Sequence, residues 1–189
     1  QHNGCPWTEL TCAYAAYHGH FEVLKWAREN GCPWNSQVCT DAAENGQFEI
    51  LKWARENGCQ WDEDTCAHTN NFEILNWLHE NGCPWNEKTC THAAECDNLK
   101  VLKWLRQNGC PWNEETTANA AHNGHFDTLK WAHENGCPWN EWTCSSAIVN
   151  GNLEILQWAR ENGCPWNKEW CMTEASRFPE IIEFIKLQD

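Results

Sequence analysis

The sequence predicts an all-α fold, an α-solenoid of about seven stacked helix-turn-helix units, and two observations carry that expectation. First, a Gly-Cys step recurs at Gly4, Gly31, Gly58, Gly82, Gly109, Gly136 and Gly163, a period of 27 residues everywhere except one interval of 24. Self-similarity at a period of this length marks repeat arrays, in which each unit buries its apolar face only against its neighbours. Second, the period contains two short helical patterns, each opened by a cap residue and, in most copies, closed by a glycine stop. Each pattern covers only about two to three turns, too short for a helix that stands alone, so its order must come from stacking. Function is therefore expected on a surface that several units share.

The units run 4–30, 31–57, 58–81, 82–108, 109–135, 136–162 and 163–189, one repeat domain over 1–189 with the last unit as a C-terminal cap. With Gly31 as position 1, Asn35 is the first N-cap; Thr8, Asp62, Asn86, Asn113, Asn140 and Asn167 hold its place elsewhere. A helix starts at about position 6, commonly with Glu in its first turn, where a negative charge suits the positive helix end. It runs to an alanine pair, seen as Ala15-Ala16, Ala42-Ala43, Ala93-Ala94 and Ala120-Ala121, small enough to let another helix approach, and stops at Asn45-Gly46 or its equivalent. The second helix follows at once. Phe48, Ile50, Leu51, Trp53 and Ala54 form its apolar face and Glu49, Lys52, Arg55 and Glu56 its polar one. Asn57-Gly58 ends it, and a short extended link leads to the next cap.

Two places depart from the pattern. The third unit lacks three residues between Cys66 and Phe72, close to one turn of its first helix, which predicts a local dent or kink in the stack. Near the end, Phe178 to Lys186 abandons the repeat but keeps helical apolar spacing, as a terminal cap does. The first three residues match the end of a unit, so the chain reads as an excerpt from something longer.

Seven copies in one chain can be compared with one another, and the constant columns are expected to build the scaffold. Tryptophan holds position 4 throughout (Trp7, Trp34, Trp61, Trp85, Trp112, Trp139, Trp166) and position 23 in six units (Trp26, Trp53, Trp77, Trp104, Trp131, Trp158), with Phe184 in the last. Two readings compete, a structural ladder along the stack and a row of aromatic binding platforms. Burying one Trp removes roughly 150–250 Å² from water, on the order of 4–6 kcal/mol gross at about 25 cal/mol per Å². A bare row would invite aggregation, so a buried ladder is expected.

Cysteine forms two columns, position 2 (Cys5, Cys32, Cys59, Cys83, Cys110, Cys137, Cys164) and position 9 (Cys12, Cys39, Cys66, Cys90, Cys144, Cys171), with Thr117 interrupting the second. Three states fit: reduced thiols packed as small apolar residues, an in-unit disulfide such as Cys32–Cys39, or a metal site spanning units. The first accommodates Thr117. The second leaves Cys110 without a partner, because Cys96 lies at the far end of a helix, and the third uses a spacing foreign to zinc sites. His20 and His125 fall at the inter-helix turn and are expected to stabilise it, while His68 and His92 share a column without convergent carboxylates or cysteines. No nucleophile, base and orienter set, phosphate-cradling loop or carboxylate pair is present, so neither catalysis nor a cofactor is expected.

The string Thr-Cys-x-x-Ala-Ala-x-Asn-Gly-His-Phe-Glu-x-Leu-Lys-Trp-x-x-Glu-Asn-Gly-Cys-x-Trp-Asn resembles the ankyrin repeat, and the resemblance covers all seven units. Cys32 stands where ankyrin repeats carry alanine, Pro33 at their aspartate, Trp34 at their valine, and Asn35 keeps its place. Two departures follow. The unit is 27 residues long against about 33, and the missing residues fall in the link where ankyrin repeats project a β-hairpin finger. The Thr-Pro-Leu-His opening is replaced by Thr-Cys. The unit is similar to the short Trp- and Cys-rich ankyrin-like repeats of large DNA viruses, algae and oomycetes, and this implies shortened links without fingers.

Charged residues make up 21% of the chain and its formal net charge is −14. This disfavours nucleic acid and favours a protein partner with a basic surface. No run of about 18 apolar residues could span a bilayer and no signal segment opens the chain. No membrane is expected, and the expected location is intracellular, cytoplasmic or nuclear.

The variable columns are the candidate site. Positions 7, 11 and 14 read Leu10, Tyr14, Tyr17; Gln37, Asp41, Glu44; Lys88, His92, Glu95; Glu115, Asn119, His122; and Trp142, Ser146, Val149, with Asp64 at position 7 of the third unit. These offsets place three side chains on one face of each first helix. Leu10, Tyr14, Tyr17, Trp142 and Val149 are apolar where drift on a solvated face would leave polar residues. Aromatic anchors flanked by acids suit a protein-binding groove. The reading is a non-catalytic interaction scaffold, a monomeric module within a larger chain or complex. The alternatives are a cysteine-based metal or redox protein, or a structural spacer.

Overall fold

The computed structural model describes residues 7–188; the Gly4-Cys5 step that opens the first unit lies outside them. Helices alternate along the chain as α1 (Glu9–Tyr17), α2 (Phe21–Glu29), α3 (Gln37–Glu44), α4 (Phe48–Glu56), α5 (Glu63–Ala67), α6 (Phe72–Glu80) and α7 (Glu87–Glu95). They continue as α8 (Leu99–Gln107), α9 (Glu114–His122), α10 (Phe126–Glu134), α11 (Glu141–Val149), α12 (Leu153–Glu161), α13 (Lys168–Glu174), a 3-10 turn (Ala175–Arg177) and α14 (Pro179–Leu187). Among the described residues there is no strand, so the links carry no hairpin finger.

Contacts group the chain into two compact units, Gln1–Thr89 and Cys90–Asp189. In the first, α1 packs beside α3 and α3 beside α5, while α2 and α4 pack behind α1 and α3. Leu24, Leu51, Ile74, Leu75 and Leu78 are fully buried there, and the alanine pairs Ala15-Ala16 and Ala42-Ala43 are buried where the first helices meet the rest. In the second, α9, α11 and α13 pack side by side, α10 lies against α9 and α12 against α11. Its core is Leu102, Leu105, Leu129, Ile148, Leu156, Ile181 and Ile185. Within each compact unit the repeats thus share a layer of aliphatic side chains with their neighbours.

The N-cap asparagine explains its own constancy. Asn35 Oδ1 accepts the Gln37 amide at 3.1 Å, and Asn86, Asn113 and Asn140 accept the equivalent amides at 3.0, 3.1 and 2.9 Å. The amide nitrogens of Asn35 and Asn86 meanwhile donate to Glu9 and Glu63 of the preceding repeat, both at 2.8 Å. An acceptor and a donor on separate atoms of one short side chain serve the two tasks at once, which an ionised aspartate, an acceptor only, cannot do. The helix α3 starts one residue later than its sequence implied, because Ser36 is the last residue before the helical run.

The second helices α2, α4, α6, α8, α10 and α12 end in the same joint. At the end of α12, Cys164 N donates to Ala159 O at 2.9 Å and Gly163 N to Arg160 O at 3.1 Å, with Gly163 at φ +82°. This Schellman closure satisfies two carbonyls the helix would otherwise leave open. Asn162 adds a side-chain bond to Trp158 O at 2.8 Å.

Two repeats break pattern at their mid-repeat turn. The deletion in the third unit falls in its first helix: α5 is five residues long, ends at Ala67, and is followed by buried Thr69 before Asn71 caps α6. In the fourth, Asp97 takes the left-handed φ of +54° that glycine adopts in other copies, and its Oδ1 accepts the Thr128 hydroxyl at 2.8 Å. Short polar residues are the ones that tolerate this conformation.

Two expectations are corrected. The position-4 tryptophans, Trp34 included, are half-buried, and Trp26 of the other column is 57% exposed. A cation covers the exposed ring in place of a core: Arg28, Arg55, Arg106 and Arg160 lie over Trp34, Trp61, Trp112 and Trp166 at 4.3, 4.0, 4.2 and 4.5 Å. His79 and His133 stack on Trp85 and Trp139 in the same place, with ring centroids 4.1 and 3.6 Å apart. The four arginines also donate to the carbonyls of Cys32, Cys59, Cys110 and Cys164. The position-4 ring meets the position-23 ring of its own repeat edge-on, as Trp34 meets Trp53 at 5.7 Å.

Among the described residues the cysteines are free thiols, buried except Cys96, and they do not face each other within a repeat. Five of the six position-9 thiols meet the position-2 thiol of the following repeat: Cys12 with Cys32, Cys39 with Cys59, Cys66 with Cys83, Cys90 with Cys110, and Cys144 with Cys164. The in-unit pair Cys32–Cys39 is therefore the wrong pairing, because the first helix carries its cysteine forward against the next link. Where Thr117 interrupts the column, its hydroxyl donates to Pro138 O at 3.0 Å, beside the solitary Cys137.

Candidate functional site

The variable residues all reach solvent: each is exposed or half-exposed. In the first compact unit, α1 presents Leu10, Tyr14 and Tyr17, which are 68%, 70% and 45% exposed. With His18, Gln37 and Asp41 they line a groove of about 340 Å³ floored by Ala13. Tyr14 and Tyr17 both pack on the His18 ring, at 4.9 and 5.0 Å. Gln37 donates to Asp41 at 2.7 Å and so fixes the groove's polar wall. Glu44 is exposed on α3 away from this groove. Asp64 and Lys88 form an ion pair at 2.9 Å across neighbouring repeats. The Lys88 hydrogen bond holds the Asp64 carboxyl below the usual carboxylate range, and the pair is too exposed to add much stability.

In the second compact unit, His92 and Glu95 on α7 approach each other at 3.6 Å, and His92 also lies 3.8 Å from the Cys96 sulfur. The remaining candidates converge. Glu115, Asn119 and His122 from α9 and Trp142, Ser146 and Val149 from α11 line one groove of about 480 Å³. Its floor is Ala118 and Ser145, and a residue absent from the sequence-derived set, Trp170 of α13, forms the far wall. The signal for Trp170 was present: with Trp142 it is one of two tryptophans outside both constant columns.

The groove is built from the turn upward. Asn140 and Asn167 cap α11 and α13 through the amides of Trp142 and Trp170, at 2.9 and 3.0 Å, so each cap fixes the start of a groove-bearing helix. Ser145 donates to Trp142 O and Asn119 to Glu115 O, which leaves the floor's polar atoms satisfied within their own helices. Trp142, Val149 and Trp170 are 49%, 45% and 40% exposed. The three helices carry the carboxylates Glu114, Glu115, Glu141, Glu169 and Glu174 against one ammonium, Lys168, whose Nζ donates to Gln188 O. The groove is apolar, Glu115 is in its lining, and the helices that form it carry an acidic balance.

His125 does stabilise its turn, its Nε2 lying 2.9 Å from Glu95 O of the preceding repeat. Among the described residues no three His, Cys, Asp or Glu side chains gather as metal ligands, and no helix is long and apolar enough to cross a membrane.

A model of ankyrin repeats in many copies matches residues 12–55 and 118–160. Among solved structures, the ankyrin repeat domain of human ASB11 superposes with a TM-score of 0.65 over 94% of this chain and 97% of that domain, at 15% sequence identity. The chain is an ankyrin-like repeat protein. No curated protein matches this ankyrin-like sequence. Ankyrin repeats are in general protein-interaction modules on a fold that is typically non-enzymatic. In this ankyrin-like chain most constant positions are consumed by joints, caps, thiol contacts and covered indoles; six exposed apolar side chains, Leu10, Tyr14, Tyr17, Trp142, Val149 and Trp170, lie on first helices, and Val23, Trp26, Phe72 and Leu187 are exposed on second helices.

Proposed function

We propose that this chain is a non-catalytic scaffold that binds a protein partner through the variable face of its first helices. One observation carries the reading: Trp142, Val149 and Trp170 remain exposed around an open groove, whereas six of the position-4 indoles have a guanidinium or imidazole of the chain over them. Exposed apolar patches on a chain of this charge mark interaction surfaces. Leu10, Tyr14 and Tyr17 support the same reading in the first compact unit. The acidic balance of the groove's helices and the net charge of −14 favour a partner with a basic surface. Buried thiols packed against one another fit a reducing compartment, the cytoplasm or nucleus. A monomeric module within a larger chain or complex fits a face built from repeats of one chain.

The test is affinity capture from a cell extract with the parent chain and two variants, Tyr14→Ala/Tyr17→Ala and Trp142→Ala/Trp170→Ala. These side chains are exposed, so the variants are expected to melt like the parent while losing proteins the parent captures. An identical captured set from all three chains would sink the reading.

A further inference from the structure

We infer that the groove between α9, α11 and α13 takes arginine side chains from its partner. This deepens the binding reading above and rests on it.

The chain shows what it does with a half-exposed indole. At Trp34, Trp61, Trp112 and Trp166 a guanidinium lies over the ring within 4.5 Å, and at Trp85 and Trp139 an imidazole stacks there. The arrangement recurs because it answers two needs at once. The flat guanidinium covers apolar ring surface and meets the negative π face, while its N–H groups remain free to bond an oxygen in the ring's plane or beyond it. In each of the four arginine cases that oxygen is a carbonyl of the chain itself.

Trp142 and Trp170 break this rule. They are 49% and 40% exposed, and among the described residues neither ring has a cation or a second ring against it. Oxygen acceptors stand ready beside them. Glu115 lines the same groove as Trp142, and Glu174 accepts the Trp170 indole N–H at 3.1 Å with its remaining lone pairs unassigned. Lys168, the nearby cation on these helices, is already engaged with Gln188 O. The groove therefore offers two bare indoles and the carboxylates of Glu115 and Glu174 without the guanidinium that completes the set elsewhere. Arginine from another molecule fits it better than lysine, because lysine lacks the flat face, and better than leucine, because leucine leaves the carboxylates unpaired.

The probe is a set of fluorescein-labelled peptides of one scaffold carrying Arg-x-x-Arg, Lys-x-x-Lys, citrulline-x-x-citrulline or Leu-x-x-Leu, titrated by fluorescence anisotropy. The arginine peptide is expected to bind at least about fivefold more tightly than the lysine peptide and about tenfold more tightly than the neutral citrulline isostere. Trp142→Ala/Trp170→Ala is expected to abolish the arginine preference, Trp142→Phe to keep part of it, and Glu115→Gln/Glu174→Gln to weaken it and flatten its salt dependence. Equal binding of the citrulline peptide, binding indifferent to Trp142→Ala/Trp170→Ala, or no binding of the arginine peptide each overturns the inference. If the leucine peptide instead binds best and needs Trp142, the interaction face stands and only its arginine preference falls.

Discussion

At the scale of single residues, burial decides what the cysteines can do. Burial pushes the Cys137 thiol up to about 12, and the same cause raises Cys171 to about 11. In the unfolded chain these thiols ionise near their ordinary value of 9.0. Between about pH 9 and pH 12 the folded state therefore holds a proton that the unfolded state has lost, and stability falls as pH rises. For Cys137 alone the expected slope is about 1.4 kcal/mol per pH unit over that window. Denaturant titrations of the parent and Cys137→Ala from pH 8 to about pH 11 check this: the variant is expected to lose stability less steeply. Identical slopes would show that the thiol is not shielded. The pairing of these thiols was not legible in the sequence. Spacing within a repeat suggested Cys32 and Cys39, whereas the contact made by Cys39 is set by how one repeat lies on the next.

At the scale of helices and turns, most of the fold was legible, because caps and glycine stops are local chemistry. Asn35, Asn113 and Asn140 cap the helices their position promised. The tryptophan columns were misjudged for a physical reason. Periodicity shows that a ring faces its neighbours, but a guanidinium from a different repeat covers it as well as a core would. Turn glycines offer a sharp test. Gly163 and Gly151 share a left-handed φ, +82° and +72°, but a Cβ on Gly163 meets nothing within 4 Å while one on Gly151 lies 2.5 Å from the Phe178 ring. Gly163→Ala is expected to cost about 1–2 kcal/mol of strain. Gly151→Ala is expected to cost about 1–3 kcal/mol more, because the ring must move. Thermal melts of both variants measure the difference, and equal losses would deny the contact between the mid-repeat turn and Phe178.

At the scale of the whole molecule, the candidate face divides into what repetition reveals and what it hides. Comparing copies found Glu115, Asn119, His122, Trp142, Ser146 and Val149, which converge on one groove. It missed Trp170, because that residue stands at position 8 of the last repeat, beside the compared columns at positions 7, 11 and 14 rather than in one of them. It also grouped Asp64 and Lys88 with the binding candidates, although an ion pair already occupies both. The joint that closes α10 and α12 has a further consequence, for heredity. The hexapeptide Asn-Gly-Cys-Pro-Trp-Asn is identical at 135–140 and 162–167, and its closing bonds have the same geometry in both copies. Excising residues 136–162 therefore rejoins the chain without creating a new turn and sets Thr117 against Cys164, another cysteine. Circular dichroism of that deletion is expected to show a cooperative melt at lower temperature, with the peptide groove lost along with Trp142. A molten or aggregated product would show that repeats are not interchangeable. Unequal crossing-over in the gene makes the same cut, so a lineage can add or discard binding surface one whole repeat at a time while every seam stays intact.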